Sequence, residues 1–148
     1  MGRLSALAYA SFLLKNRLKS RFELERKLKE KKYLSEDIES ALKQLQEVGA
    51  IDDQKFAKAY ANDKLKYSRR GKFRISLELL QKGVDKEIIN KTIKAIDNEV
   101  ELKIAEELIQ SKLRQWQHLD PLVRKRRLIA LLQRRGFGIE AIKKLDTN

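Results

Sequence analysis

The stretch Ile51–Asp85, IDDQKFAKAYANDKLKYSRRGKFRISLELLQKGVD, decides the fold of this 148-residue chain. Its pattern of apolar residues predicts one helix, a corner marked by Gly71, a second helix and a stop at Gly83. The corner Ser68–Arg74, SRRGKFR, carries four positive charges among bulky side chains. This corner therefore predicts a surface for a negatively charged partner, and not a catalytic site.

The two helices of this stretch carry recognisable caps and apolar faces. Asp52 or Asp53 is expected to cap the first helix, because an aspartate side chain can accept a hydrogen bond from a free N–H of the first turn. In the second helix the spacing of Phe73, Leu77 and Leu80 predicts that these three side chains face the core.

Similar patterns lie on both sides of this stretch. A shift of 51 positions places Phe22 on Phe73, and a shift of 53 places Gly83 on Gly136. A period near 50 residues favours an array in which neighbouring units stack. We therefore predict an all-α protein of nine helices, built as a tandem array of three three-helix repeats. The predicted repeats are residues 1–51, 52–97 and 98–148.

The first repeat has its own start and stop signals. Ser20 and Glu23 form the spacing of a capping box, and Ser35 is expected to cap the next helix. Gly49 is expected to end that helix. Lys32 stands where the other repeats have Gly83 and Gly136, so this turn is either strained or built differently.

Composition and charge restrict the function. The net charge is +13 with a pI near 10.0, and such a field attracts polyanions. The absence of cysteine excludes disulfides and thiolate metal sites. His118 is the only histidine, and Gly71-Lys72 lacks the earlier glycine of a phosphate-binding loop. We therefore predict no enzyme activity, cofactor or metal. No apolar run approaches the ~18 residues of a membrane span.

Basic residues follow the second helix of each repeat. Nine basic and three acidic residues lie in Lys15–Lys32, seven and one in Lys64–Lys82, and six and none in Arg124–Arg135. These clusters indicate either contact with phosphate or acidic surface, or a solvated face. Reversing the charges of the central corner is expected to leave the fold intact. The candidate partner-binding residues are Arg21, Arg26, Lys27, Arg69, Arg70, Lys72, Arg74, Lys82, Arg124, Lys125, Arg127, Arg134 and Arg135.

Several segments resemble one known family. Gly49–Tyr60, GAIDDQKFAKAY, is similar to the G-x-[IL]-D-D-x-x-F-A-x-x-Y segment of the RecX family, which regulates the RecA recombinase of bacteria. Arg70–Ile75 and Leu79–Val84 resemble the G-x-x-R-I and L-x-x-K-G-[IV] segments that follow it. Ser20–Leu28 and Arg134–Phe137 resemble its S-x-x-E-L-x-x-K-L and R-R-G-F segments.

The resemblance implies a crescent-like array of three-helix repeats that binds in the groove of the RecA–DNA filament. It also implies inhibition of the ATPase, strand-exchange and coprotease activities of RecA, with direct contact to single- or double-stranded DNA phosphates. We expect a cytoplasmic, non-enzymatic monomer that does not bind membranes. The alternative is a stand-alone nucleic-acid-binding protein that coats DNA without sequence specificity. A sequence-specific helix-turn-helix is disfavoured, because the second helix begins with the partly acidic Asp85-Lys86-Glu87.

Overall fold

The computed structural model describes residues 2–147, and within that range it contains nine α-helices, a final 3-10 helix and no strand. This confirms the predicted all-α fold. The helices are α1 Ala6–Leu14, α2 Arg21–Glu30, α3 Ser35–Glu47, α4 Asp53–Lys66, α5 Lys72–Gln81, α6 Lys86–Lys94, α7 Asn98–Gln115, α8 Pro121–Arg134 and α9 Ile139–Lys143, and the 3-10 helix is Lys144–Thr147.

The chain divides into two compact units. Unit 1 comprises Met1–Ala59 and Leu79–Ile89, and unit 2 comprises Tyr60–Glu78 and Asn90–Asn148. Helices α4, α5 and α6 each contribute residues to both units. The boundaries predicted for the three repeats, after residues 51 and 97, stay a prediction.

The core of unit 1 is built by α1, α2 and α3. Leu24 and Leu28 of α2 and Leu42 of α3 are completely buried, and α1 contributes the small side chains of Ala6 and Ala10. Each fully buried leucine stabilises the fold by roughly 1.5–3 kcal/mol relative to an exposed one. Alanines in α1 let that helix approach its neighbours closely.

The helix starts of unit 1 confirm one prediction and correct another. Ser20 and Glu23 form the predicted capping box, with the Ser20 Oγ accepting from the Glu23 N–H and the Glu23 carboxylate accepting from the Ser20 N–H, each at 3.1 Å. Ser35 is not the N-cap of α3. Leu34 occupies that place in an extended conformation, and its carbonyl accepts the first helical bond from Ile38 N at 3.0 Å.

The inner face predicted for α5 was wrong. Phe73, Leu77 and Leu80 are 67%, 42% and 48% exposed, whereas Ile75 and Leu79 are completely buried. The helix carries two apolar stripes, and periodicity alone cannot choose between them.

The repeat itself contains the information that selects the correct face of α5. Leu24 and Leu28 stand 51 positions before Ile75 and Leu79, and all four are buried. Glu78 lies on the same inner face and is only 8% exposed. A charged residue on an inner face is the feature that periodicity of apolar residues cannot reveal.

Unit 2 is built around α7, α8 and α9, which pack against one another. Asp97 caps α7, and Asp120 caps α8, which begins at Pro121. The buried side chains of this unit include Leu65, Ile75, Ala105, Leu108, Ile109, Leu128, Leu132 and Phe137.

The second helix of each repeat ends in the same turn. One residue with positive φ follows each helix: Lys32 at 62°, Gly83 at 75° and Gly136 at 84°. The next N–H then bonds back across the turn, as in a Schellman motif. These bonds are Tyr33 N to Leu28 O, Val84 N to Leu79 O and Phe137 N to Leu132 O, at 3.3, 3.1 and 2.9 Å. The turn at Lys32 therefore has the same backbone structure as the other two turns. It is strained, because lysine carries a Cβ and adopts a positive φ here.

Candidate partner-binding site

In unit 1, the start of α2 docks on the end of α5. The Ser20 hydroxyl donates to the carbonyl of Lys82 at 2.7 Å, and Ser20 itself is completely buried. A Cβ added to Gly83 would lie 2.3 Å from the Cβ of Phe22, so a side chain cannot be accommodated there. We call the contact of Ser20–Glu23 with Lys82–Gly83 the unit-1 junction.

In unit 2, the start of α5 docks on the end of α8 through residues equivalent to those of the unit-1 junction. Gly71 N–H donates to Arg135 O at 2.6 Å, and Phe73 N–H donates to Gly136 O at 3.2 Å. A Cβ on Gly71 would lie 2.5 Å from Gly136 O, and a Cβ on Gly136 would lie 2.2 Å from Arg74 N. We call the contact of Gly71–Arg74 with Arg135–Gly136 the unit-2 junction.

An acidic side chain caps the docking helix in each junction. The Asp53 carboxylate accepts from Arg21 N–H at 2.9 Å, and the Glu101 carboxylate accepts from Lys72 N–H at 2.7 Å. Both acids lie at the positive end of a helix, which stabilises them. Asp52 caps α4 itself by accepting from the N–H groups of its first turn. The two predicted capping aspartates therefore cap two different helices.

At the end of α2, a side chain makes the contact that a docked helix makes in the two junctions. The carbonyl of Lys31 corresponds to those of Lys82 and Arg135, and here it accepts a hydrogen bond from the Arg3 guanidinium. Arg3 also lies over the ring of Tyr33, with its guanidinium carbon 3.9 Å from the ring centroid. The Arg3 side chain takes the place of a docked helix and leaves room for a Cβ at residue 32. This turn therefore accepts a lysine, whereas the docked segments at Gly83 and Gly136 leave no such room.

Glu78 is a buried acid of unit 2 that binds two arginines and a tyrosine. Its carboxylate accepts hydrogen bonds from Arg70 at 2.7 Å, from Arg74 at 2.9 Å and from the Tyr60 hydroxyl at 3.0 Å. Burial alone would raise the pKa of Glu78, but the hydrogen bonds from Arg74, Arg70 and Tyr60 outweigh burial and lower the pKa below its ordinary value. Glu78 is therefore ionised at neutral pH and holds two arginines in place.

This arrangement corrects one interpretation of the sequence. Arg70 and Arg74 are not simple exposed charges, because both pair with a buried carboxylate. Lys72 also contributes through its backbone, which Glu101 caps. Reversing these charges would place carboxylates beside Glu78, so the expectation that the fold would be unaffected had a wrong premise.

Arg135 anchors a crowded group of arginines. Its guanidinium donates to the carbonyls of Ser68 at 2.5 Å and Arg69 at 3.5 Å. Burial lowers the pKa of Arg135, and the positive charges of Arg70 and Arg134 lower it further, although the group stays protonated. Arginines held this close together repel one another, and an anion between them would relieve that repulsion.

A hollow of about 510 Å³ opens in front of this group. Among residues 2–147, no acidic side chain forms an ion pair with Arg69, Arg134 or Arg135, and Glu78 pairs with Arg70 and Arg74. The hollow therefore carries uncompensated positive charge. Its lining residues are Tyr67, Ser68, Arg70, Arg74, Arg134 and Arg135.

The equivalent hollow of the unit-1 junction is smaller, about 240 Å³, and more balanced in charge. Glu23 lines it together with Arg26, Lys27 and Lys82, and the Lys82 ammonium lies 3.3 Å from the Glu23 carboxylate. Nearby, burial lowers the pKa of Lys19, and Arg17 lowers it further while Glu23 opposes both.

The remaining candidate residues lie apart from both hollows. Arg124 is half-buried in α8, Lys125 pairs with Asp146 at 2.7 Å, and the Arg127 guanidinium lies 5.8 Å from the Trp116 ring centroid. Arg21 pairs with Glu39 at 3.1 Å. Lys72 contacts Asn98 through its ammonium group. The structure thus gathers Arg69, Arg70, Arg74, Arg134 and Arg135 in unit 2 and Arg26, Lys27 and Lys82 in unit 1.

Sequence reasoning missed Tyr67, which is 83% exposed at the rim of the larger hollow. The other tyrosines, Tyr9, Tyr33 and Tyr60, are partly buried, and Tyr67 is the exception. Its position beside the basic corner was the only signal in the sequence. Within residues 2–147, the structure contains no cluster of three or more side chains able to hold a metal and no helix long and apolar enough to cross a membrane.

Comparisons with known proteins match the chain in three consecutive segments. Models of the first, second and third three-helix domains of RecX match residues 6–45, 52–93 and 99–145. The regulatory protein RecX of Mycobacterium sp. (strain JLS) is 36% identical over 137 residues, covering 90% of this chain and 75% of that protein. The regulatory protein RecX of Chlorobaculum tepidum is 34% identical over 139 residues, covering 94% and 84%.

Two solved structures share the fold. The crystal structure of RecX from Lactobacillus salivarius superimposes with a TM-score of 0.83 at 20% identity, covering 96% of this chain and 92% of that one. A second structure of regulatory protein RecX gives a TM-score of 0.85 at 22% identity, covering 97% and 70%.

Proposed function

Since the chain belongs to the RecX family of regulatory proteins, we propose that it is a negative regulator of the RecA recombinase. In this proposal the protein is a cytoplasmic monomer without enzyme activity. It binds in the groove of the RecA–DNA filament and inhibits the ATPase, strand-exchange and coprotease activities of RecA.

The observation that supports this proposal most directly is the uncompensated positive charge at the unit-2 junction. Arg69, Arg134 and Arg135 have no carboxylate partner within residues 2–147, so an anionic surface of the filament would supply the missing negative charge. The unit-1 junction offers a second hollow that is more balanced in charge, because its cations Arg26 and Lys27 both lie near the Glu30 carboxylate. Two cation-bearing hollows on one chain would allow contact with more than one filament subunit, which would restrain the subunit movements that accompany ATP turnover.

The test is the DNA-dependent ATPase activity of RecA, titrated with this protein. We expect the rate to fall as the protein is added, and no inhibition at several-fold excess over RecA would contradict the proposal. Arg134→Glu should weaken inhibition, because Arg134 lines the larger hollow and has no acidic partner there. Arg126→Glu is the matched control, because it changes the same charge at an exposed position of the same helix, α8.

The second candidate function is coating of DNA, which the arginine-lined hollow also favours. Excess free DNA separates the two functions. A protein that acts only by occupying DNA is titrated away by added DNA that carries no RecA, and its inhibition then disappears. A protein that binds the filament keeps inhibiting under those conditions.

A further inference from the structure

Two basic hollows of unit 2 share one ridge. The hollow of about 510 Å³ and a second hollow of about 390 Å³ are both lined by Tyr67, Ser68 and Arg135. On one side of this ridge lie the arginines of the unit-2 junction. On the other side Lys66, Arg69 and Lys112 line the second hollow. The ridge therefore carries an exposed aromatic ring with positive charge on either side.

We propose that this ridge, formed by Tyr67, Ser68 and Arg135, is a binding site for single-stranded nucleic acid. One unpaired base stacks on the ring of Tyr67. The phosphates that precede and follow this base lie in the two hollows, where Arg134 on one side and Lys112 on the other contact them.

The chemistry of the ridge favours this ligand over other polyanions. Proteins that bind single strands combine a basic groove with aromatic side chains, because every unpaired base has a face on which a ring can stack. An acidic peptide has no such face, and in a duplex the bases are stacked inside the helix. Two separate hollows also suit a chain with spaced charges better than one compact anion.

The backbone of the ridge is held in a fixed conformation. Arg69 has a φ of 48°, a strained value for a residue with a side chain. Arg135 donates to the carbonyls of Ser68 and Arg69, and the Arg70 N–H donates to Lys64 O at 3.0 Å. These bonds fix the turn that presents Tyr67, so little ordering of this turn is needed when a strand binds.

This inference deepens the proposed function by naming one ligand of its basic surface, but its test needs no recombinase. The test is fluorescence anisotropy of a labelled oligothymidine titrated with the full chain. Tyr67→Leu should weaken binding roughly 5- to 150-fold, the range expected for loss of one stacked base. Tyr67→Phe keeps the ring and should bind like the original protein. Because Tyr67 is exposed, both variants should fold, and circular dichroism checks that they do.

The contribution of charge is measured by the salt dependence of the same binding. Arg134→Gln and Lys112→Gln should each reduce the slope of log K against log salt by about 0.7, the value for one phosphate of a single strand. Arg126→Gln removes one charge outside the two hollows and should leave the slope unchanged. Equal effects of Arg126→Gln and Arg134→Gln would overturn the proposed site.

Two further results would overturn the inference. One is a Tyr67→Leu variant that binds oligothymidine as tightly as the original protein. The other is equal competition by duplex DNA of the same length. The outcomes for the two proposals are separate: if oligothymidine binds as expected but RecA is not inhibited, the proposed function fails and the site stands. If RecA is inhibited and Tyr67→Leu changes nothing, the site fails alone.

Discussion

The unit-1 and unit-2 junctions are built on the same plan but use different groups. In the unit-1 junction a side chain makes the contact, because the Ser20 hydroxyl donates to Lys82 O. In the unit-2 junction the main chain makes it, through the N–H of Gly71 to Arg135 O. Ser20 and Gly71 are 51 positions apart, so they occupy equivalent places in consecutive repeats.

The difference changes the charge that each junction can carry. Glu23 of the unit-1 junction balances nearby cations, and its equivalent 51 positions later is Arg74. Lys27 is likewise replaced by Glu78, which is buried and holds Arg74 in place. A main-chain contact leaves the side chains of the unit-2 junction available for excess positive charge. One docking geometry can therefore serve either as a balanced contact or as a basic surface.

The largest expected effect on stability comes from substituting the glycine of each junction, Gly136 in unit 2 and Gly83 in unit 1. Gly136→Ala should lower the free energy of unfolding by about 3–5 kcal/mol, because the new Cβ meets the backbone of Arg74 and the φ of 84° is strained. Gly83→Ala should cost about 2–4 kcal/mol, since its Cβ meets the side chain of Phe22. Urea unfolding measures both, and a smaller loss for Gly136→Ala would show that the main-chain junction is the more adaptable one.

The second expected effect on stability compares Glu78 of unit 2 with Glu23 of the unit-1 junction. Glu78→Gln should destabilise the protein by about 3 kcal/mol, because two arginines lose a buried partner. Glu23→Gln should cost about 1 kcal/mol, since it weakens one cap and one partly exposed ion pair. Thermal and urea unfolding of the two variants provide the measurement. If the two variants lost the same unfolding free energy, Glu78 and Glu23 would not have the different electrostatic roles assigned to them.

A pH titration sharpens the same contrast. The pKa of Glu78 is lowered below its ordinary value of 4.5, so its ionised form stabilises the folded state. This contribution is present above pH 4.5 and is lost as the pH falls through the lowered pKa. We therefore expect the difference in unfolding free energy between the original protein and Glu78→Gln to shrink on acidification. A difference that stays constant from pH 7 to pH 3 would contradict this assignment.

The smallest effect concerns the turn after α2, where the Arg3 side chain binds the carbonyl of Lys31. Lys32→Gly should raise the free energy of unfolding by about 0.5–1 kcal/mol, because it relieves the positive φ at a small cost in chain entropy. The gain is measurable as a rise in the melting temperature. A loss of stability would indicate that the Lys32 side chain makes a contribution larger than the strain of its backbone.

Much of the fold followed from the sequence because its signals are local. The capping box at Ser20 and the glycine stops at Gly49 and Gly83 depend on a few neighbouring residues, and the structure confirms them. The inner face of α5 did not follow, since two apolar stripes compete there and only comparison with Leu24 selects the buried one.

The candidate site was harder to predict because its members are brought together by the fold. Arg70 and Arg135 are far apart in the chain, and their neighbourhood depends on how the end of α8 docks. The role of Glu78 was hidden, because a single acid within a basic run looks like a surface residue until its burial is known. Tyr67 was missed because the exposure of its side chain depends on the fold and not on its neighbours in the sequence.

Lys32 also has a consequence for protein engineering. A designer who wished to fuse another repeat in front of the first would need its helix to dock on Lys31 and Lys32. The Cβ of Lys32 would then stand where Gly83 and Gly136 leave no room for one. Lengthening the array at this end therefore requires Lys32→Gly and removal of the Arg3 side chain, which occupies the carbonyl of Lys31. Lys32 and Arg3 together therefore occupy the place where the helix of an added repeat would dock.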